Sequence, residues 1–269
     1  MKNTPQTIEL IRDGHWMTIH LNRPERRNAM TRQMTSELTE ALLALREDRS
    51  VRGITLRGTG GWFCAGGDLA EFKADFQSGP PDRADIESAS RAAGTLFHLL
   101  DRMPQVTVAL VEGGAMAGGL GLMCACDISV ATEDAAFALT ETTLGIPPAQ
   151  IAPYVRARVG LAKARQLMLT APRFTGLDAG KLGLVSTVVA DAQALDAEEA
   201  KLREALRRCA PGAVAVTKDI LLGQAEDDSI ATAARAFAGC ILSDEGREGI
   251  ASFFEKRPPS WARAPEDQA

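Results

Sequence analysis

The sequence predicts an α/β fold on three observations. Its first half alternates short, β-branched apolar runs with helical stretches. Glycine-rich turns follow two of those runs. Beyond Ala149 nearly every segment carries helical periodicity. Strand–helix alternation followed by a helical tail describes an α/β core carrying helices that pack elsewhere. The division is expected near residue 200, with a core over 1–200 and a C-terminal helical region over 201–269.

Thr7–Arg12 and Trp16–Leu21 are expected as two strands with the turn at Gly14. A helix begins near Thr31, because Met34, Leu38, Leu42 and Leu45 then form one apolar stripe. Gly53–Arg57 is a strand, and Gly58–Asp68 is a glycine-rich loop. Ala84–Arg102 is a helix ended by Pro104, and Gln105–Val111 is the most clearly buried, β-branched strand. A second glycine-rich turn, Gly113–Gly121, feeds an apolar helix that reaches Ala125. Ile128–Ala131 and Ala135–Leu139 are further strands, and Val185–Val189 is extended. Helices are expected over Ala149–Val159, Leu161–Leu169, Ala194–Cys209, Gly212–Leu222, Ile230–Leu242 and Asp244–Lys256. Ser78–Asp82, with Gly79, Pro80 and Pro81, predicts a mobile loop, and the polar stretch after Trp261 a frayed tail.

Composition narrows the function. The 269 residues are 45% hydrophobic and 24% charged, ordinary for a globular protein and too apolar for a disordered one. Thirty basic against 35 acidic residues leave a net charge of -5, without the basic excess of a nucleic-acid binder. The apolar stretch Gly113–Cys126, between Glu112 and Asp127, is shorter than the roughly 20 residues of a membrane span. Met1–Leu10 lacks the apolar run of a signal peptide. The five cysteines show no metal-knuckle or CxxC spacing, which fits reduced, buried thiols in a cytoplasmic protein.

None of the three histidines, His15, His20 and His98, lies in a glycine-rich turn or pairs with a nucleophile. GxSxG, the phosphate loop, GxGxxG and HExxH are all absent, so neither a catalytic metal nor a dinucleotide has support. Carboxylates and backbone amides remain. In the first glycine-rich turn stand Phe63, Cys64, Ala65, Gly66, Gly67 and Asp68, and in the second Ala117, Gly118 and Gly119 open a helix. Glycine lets the backbone approach a ligand, and a helix's first turn supplies unpaired N–H donors. Two such donors converging on a carbonyl oxygen make an oxyanion hole. By themselves the same glycines also read as tight turns and close packing.

Leu21-Asn22-Arg23-Pro24 with Asn28-Ala29, then Phe63 through Leu69, resemble the enoyl-CoA hydratase/isomerase (crotonase) superfamily. Val111-Glu112-Gly113, Ala117-Gly118-Gly119 and Cys126-Asp127 continue the resemblance. So do Glu141 with Leu144-Gly145-Ile146-Pro147, and Phe254-Glu255-Lys256-Arg257. It spans about Ile8 to Trp261, with the motifs in order. The resemblance implies a crotonase-like spiral of ββα units and C-terminal helices that mediate trimerisation, giving a trimer or a dimer of trimers. It implies an acyl-CoA substrate whose thioester enolate is held by the amides of Gly67 and Gly118, with coenzyme A as part of the substrate and no further cofactor. It places Ala65, Gly66, Asp68 and Leu69 beside the ligand, with Ala65 at the adenine. Arg26 and Arg27 fall beside the CoA phosphates, which suit guanidinium geometry, although solvated surface arginine is the alternative for each. Lys256 matches a residue that reaches a CoA phosphate.

In the family's hydratases two glutamates share the acid–base work. Glu141 matches one, and Gly121 stands at the position of the other. A carboxylate facing an apolar acyl pocket has a raised pKa suited to proton shuttling. A lone carboxylate suffices to move a double bond from the 3,4 to the 2,3 position, which leans toward an isomerase. Glu141 through Pro153 instead resembles the isohexenylglutaconyl-CoA and methylglutaconyl-CoA hydratases. Gly121 is then expected to open room for a branched acyl chain, whose own carboxylate helps to hold the water. A catalytically silent acyl-CoA-binding protein is the alternative of another class. RNA binding is disfavoured by the acidic balance.

Overall fold

The computed structural model describes residues 5–71, 73, 82–223 and 229–262. Of the expected Ser78–Asp82 loop only Asp82 is among these, and most of the expected frayed tail lies outside them. The main sheet has six strands: β1 (Ile8–Asp13), β2 (Trp16–Leu21), β3 (Gly53–Gly58), β4 (Val106–Val111), β6 (Ile128–Thr132) and β8 (Thr187–Val189), in that spatial order. β1 and β2 form an antiparallel hairpin through Gly14 (φ 55°), and every later neighbour is parallel. Parallel neighbours need crossovers, here supplied by helices. α1 (Arg32–Glu47) joins β2 to β3, and α2 (Arg83–Asp101) leads into β4. Thr31 caps α1 through its hydroxyl on Met34 N (3.1 Å), and the Met34, Leu38, Leu42 and Leu45 stripe is buried as the spacing predicts.

A second, smaller layer runs beside this sheet. β5 (Gly114–Met116) pairs in parallel with β7 (Ala136–Ala138). Single bridges extend the row from Met30 and Gly67, through Cys64 and Ala115, to Phe137 and Phe174. Each successive coil of the chain thus gives one strand to the large sheet and one short segment to the small layer. The expected strand Ala135–Leu139 belongs to this layer rather than to the main sheet. β5, hidden in a run of small residues, and α5 (Gly176–Lys181) carry no periodic signal, and each is too short to show one.

One face of the main sheet packs on α1, α2 and the apolar helix α3 (Gly118–Ala125). On the other, Trp16, Val106, Val108, Leu110 and Val130 meet Leu195, Leu202 and Leu206 of α6 (Ala192–Arg207). Residue 200, where the division of the chain was expected, therefore lies inside a helix that covers the sheet. The two helices expected around residue 160 form α4 (Ala152–Thr170), broken at Gly160 (φ 72°, ψ 167°). The first begins at Ala152 rather than Ala149, because Pro153 suits only the first turn. α7 (Pro211–Leu222), α8 (Ser229–Leu242) and α9 (Asp244–Phe254) are the last α-helices among the described residues. They border an apolar groove of about 1210 Å³ with Trp261, and Leu221, Phe237, Leu242, Phe253 and Phe254 are exposed on them.

Candidate active site

The small layer positions two backbone amides. After a short turn at Pro24–Arg26, Arg27 (φ 50°) and Asn28 (φ 55°) are both left-handed, a conformation that Asn tolerates well. The Asn28 side chain is buried. Its Oδ1 accepts from Arg23 N (2.8 Å), and its Nδ2 donates to Thr59 O (2.9 Å) and Trp62 O (2.6 Å). This knots the segment to the first glycine-rich loop. Next, Met30 N donates to Gly66 O (2.7 Å), and Asp68 N donates to Met30 O (2.9 Å). In a parallel bridge the residue between those two partners, Gly67, turns its own N–H to the opposite side.

That side holds the start of α3. Ala117 N donates to Ala138 O (2.9 Å), and the first helical bond runs from Gly121 N to Ala117 O (3.1 Å). The Gly118 N–H therefore has no intrahelical acceptor and sits at the positive end of the helix dipole. A methyl group added at Gly118 would lie 4.0 Å from Gly67 N and 2.7 Å from Met30 Cε. The two amides thus share one small space, roofed by the Met30 methyl. Among the described residues neither N–H has an acceptor. Such a pair suits an oxygen that gains negative charge during a reaction.

Ala117 holds this turn at φ 46°, ψ −121°, where only glycine is at ease. Such a conformation costs on the order of 1–3 kcal/mol. Ala117→Gly should relieve it and, after glycine's larger entropy loss on folding, stabilise by about 1 kcal/mol. Thermal denaturation should show a midpoint about 2–4 °C higher. A lower midpoint would mean that the methyl's contact with the Gly66 segment outweighs the strain.

Glu141 follows β7 closely, and Ala138 at the end of that strand carries the carbonyl that holds Ala117. A 3-10 turn, Glu141–Leu144, is closed by Gly145 (φ 76°) and pinned to α4 by Thr142 Oγ1 donating to Met168 O (3.0 Å). The carboxylate is half-buried, and its Oε2 is enclosed without a hydrogen-bond partner among the described residues. Burial pushes its pKa above the ordinary glutamate value, opposed only by its own backbone N–H.

The room expected above Gly121 is filled. A Cβ there would overlap Ile151 Cγ2 and stand 2.9 Å from Ile151 Cβ and 3.5 Å from Phe97 Cζ. Ile151, 3% exposed, comes from the loop before α4, so the missing side chain leaves no cavity. The sequence signal had been the absence at 121. Its complement stands thirty positions on and carries no local pattern.

The remaining expected residues fall into three groups. Ala65 donates its N–H to Arg27 O (2.9 Å), and Gly66 (φ 93°) packs against the Met116 carbonyl, where a Cβ would stand 2.9 Å from the oxygen. Asp68 is tied inward: its Oδ2 pairs with Arg23 (2.8 Å) and its Oδ1 accepts from Ala70 N (2.9 Å). Burial works against its charge, but these bonds and the nearby Arg23 and Arg26 hold its pKa below the ordinary range. It holds the loop, and its partner Arg23 entered the sequence reading only as part of the Leu21–Pro24 motif, without a role of its own. Arg26, Arg27 and Leu69 are exposed, with the Arg27 guanidinium 4.9 Å above the Trp62 ring. Lys256 is exposed at the end of α9 in the left-handed region (φ 52°), beside Arg257, which is paired to Glu248 and Glu255.

Burial pushes the Cys64, Cys124 and Cys126 thiols up to about 12, which removes them as thiolate nucleophiles. No cluster of His, Cys, Asp and Glu suited to a metal occurs among the described residues, nor a helix long and apolar enough to cross a membrane.

Comparison with known proteins agrees with this geometry. The family model for enoyl-CoA hydratase/isomerase matches residues 14–264. Human enoyl-CoA hydratase domain-containing protein 2, mitochondrial, is 35% identical, over 90% of this chain and 84% of its own. The solved structure of Pseudomonas aeruginosa AtuE is 45% identical with a TM-score of 0.92, covering 96% of this chain and all of that one. An enoyl-CoA hydratase/isomerase from Marinobacter aquaeolei, 38% identical, superposes with a TM-score of 0.90, covering 96% of this chain and 99% of that one. A coiled α/β core, two free amides across adjacent coils and a match along almost the whole chain lead to one assignment: this protein is an enzyme of the enoyl-CoA hydratase/isomerase family, with the crotonase fold.

Proposed function

We propose that the enzyme hydrates a 2-enoyl-CoA thioester with a branched, glutaconyl-type acyl chain, using Glu141 as its only acid–base carboxylate. The observation that carries the single-carboxylate chemistry is the enclosed, unpartnered Oε2 of Glu141, just beyond the strand end whose Ala138 carbonyl holds Ala117. The glutaconyl-type chain is supported by the resemblance of Glu141 through Pro153 to hydratases of such esters. The Gly67 and Gly118 amides take the thioester oxygen as it gains charge. Glu141 activates water toward C3 and returns its proton to C2, with coenzyme A entering as part of the substrate and no other cofactor. Exposed Arg26 and Arg27 meet the CoA phosphates beside Ala65, and Lys256 meets one from a neighbouring copy. The exposed apolar residues of α7–α9 favour a homotrimer or a dimer of trimers. A cytoplasmic location is favoured by the five unpaired cysteines, of which Cys64, Cys124 and Cys126 are buried, Cys240 is partly buried and Cys209 is exposed. The net charge of -5 disfavours nucleic acid as a partner, and the short apolar stretches disfavour a membrane.

A second reading, Δ3,Δ2-enoyl-CoA isomerase, is favoured by the filled space at Gly121, since double-bond transfer needs one carboxylate and no water. A panel of 2-enoyl and 3-enoyl esters in ¹⁸O-labelled water separates the two. A product heavier by one labelled water supports the hydratase. Conversion of a 3-enoyl ester to its isomer without mass gain supports the isomerase, and no turnover of any ester in the panel would count against both readings.

The pH dependence follows from the burial. A base must be ionised, so kcat/KM should be low in acid and rise as Glu141 loses its proton. That rise should centre above the ordinary value of 4.5. A pH–rate profile with its acid limb at or below that value would show the base to be another group.

A further inference from the structure

Gly118 and Gly121 are one turn apart on α3, so they lie on the same helix face, separated by about 4.5 Å of axial rise. Both are bare, and each is covered by an apolar side chain from elsewhere: Met30 over Gly118 and Ile151 over Gly121. Ile151 does more than lie nearby, since its Cγ2 and Cβ stand in the volume that any side chain at 121 would require. Phe97, 2% exposed, closes the far side of that volume. The atoms nearest that position, one turn beyond the Gly118 amide, are therefore all apolar. A buried apolar wall cannot hold a water molecule, which needs two to four polar partners.

We propose that Ile151 is a specificity-determining residue: by occupying the volume beside Gly121 it denies the attacking water a second protein partner, and so reserves turnover for acyl groups that bring their own acceptor, such as a second carboxylate. This rests on the hydratase reading. Plain straight-chain 2-enoyl esters bind and meet Glu141, but their water has one anchor instead of two. An ester with a distal carboxylate completes the pair from the substrate side.

The test compares kcat/KM on a glutaconyl-type ester and on a straight-chain 2-enoyl-CoA. It uses wild type, Ile151→Thr, Gly121→Glu and the double variant Gly121→Glu/Ile151→Ala, with thermal midpoints for all. The double variant removes the obstructing side chain and sets a carboxylate in its place. It should lower the ratio of carboxylated to plain ester at least tenfold and raise turnover of the plain ester. Ile151→Thr keeps the Cγ2 contact and adds a hydroxyl, and should lower the same ratio severalfold with the fold intact. Gly121→Glu alone should melt well below wild type, because its Cβ overlaps Ile151. A ratio unchanged within twofold in Ile151→Thr and in a folded double variant would overturn the proposal. So would a Gly121→Glu single variant as stable as wild type. Wild type failing to hydrate any ester would instead overturn the hydratase reading itself.

Discussion

Glu141→Gln should lower kcat about 10²–10⁴-fold while leaving CoA-ester binding within a few-fold, the signature of a lost proton carrier rather than a lost contact. Gln keeps the shape of the side chain, so the 3-10 turn and its tie from Thr142 to Met168 should persist. Stability should change in the opposite sense. The Glu141 pKa is raised by burial, so the folded state holds its proton more tightly than the unfolded chain does. Stability is then lost as pH rises from the ordinary glutamate range through the folded-state value. Gln carries no charge and escapes that loss. The variant should melt above wild type near neutral pH, and the difference should shrink in acid. Steady-state kinetics with an ester-binding titration, and melting curves at two pH values, read both effects. A variant that is inactive and also less stable at neutral pH would contradict a carboxylate held in an enclosed apolar site.

Asp127→Ala should be strongly destabilising although the residue lies away from the site. One oxygen of Asp127, between α3 and β6, accepts from Thr107 N (2.7 Å), Thr107 Oγ1 (3.0 Å) and Lys218 Nζ (2.7 Å). Lys218 comes from α7, and its side chain is 9% exposed. Its Nζ also reaches Gln105 O (3.3 Å). Truncating Asp127 strands an enclosed ammonium and a strand-end N–H together. That costs about 3 kcal/mol, at the low end for buried pairs because Asp127 is itself partly open to solvent. The melting midpoint should fall by about 6–12 °C. Lys218→Met should cost less, because the Thr107 N–H keeps its acceptor. Calorimetry on both variants gives the order directly. Equal losses would mean that the ion pair matters more than the bond to Thr107.

The large sheet and the long helices were legible because their residues repeat at two or at three to four positions. The Met34–Leu45 stripe is an example, whereas the Val106–Val111 run was legible from its β-branched, apolar composition. The small layer was not, since Gly114–Met116 is three small residues whose pairing is set by contacts far along the chain. Gly67, Gly118 and Glu141 were singled out through ordered motifs rather than periodicity. The structure adds what joins them: the left-handed Arg27–Asn28 corner, the Met30 bridge and the Ala138 carbonyl that holds Ala117. Asp68 was placed at the ligand by the resemblance of the Phe63–Leu69 motif. In the structure its carboxylate is tied to Arg23 from another coil, a pairing that no local pattern marks. Gly121 carried the most misleading signal, for an absent side chain in a sequence does not say what else fills the space.

The small layer also has a temporal consequence. Its segments come from successive coils, so the Gly67 and Gly118 amides meet only once the Cys64–Ala115 and Met30–Gly67 bridges have both closed. Helices such as α1 and α2 form from local contacts, whereas these bridges must first bring distant parts of the chain together. On refolding from denaturant, the helical circular-dichroism signal should therefore recover before enzymatic activity. The interval between the two would time the closing of the coils.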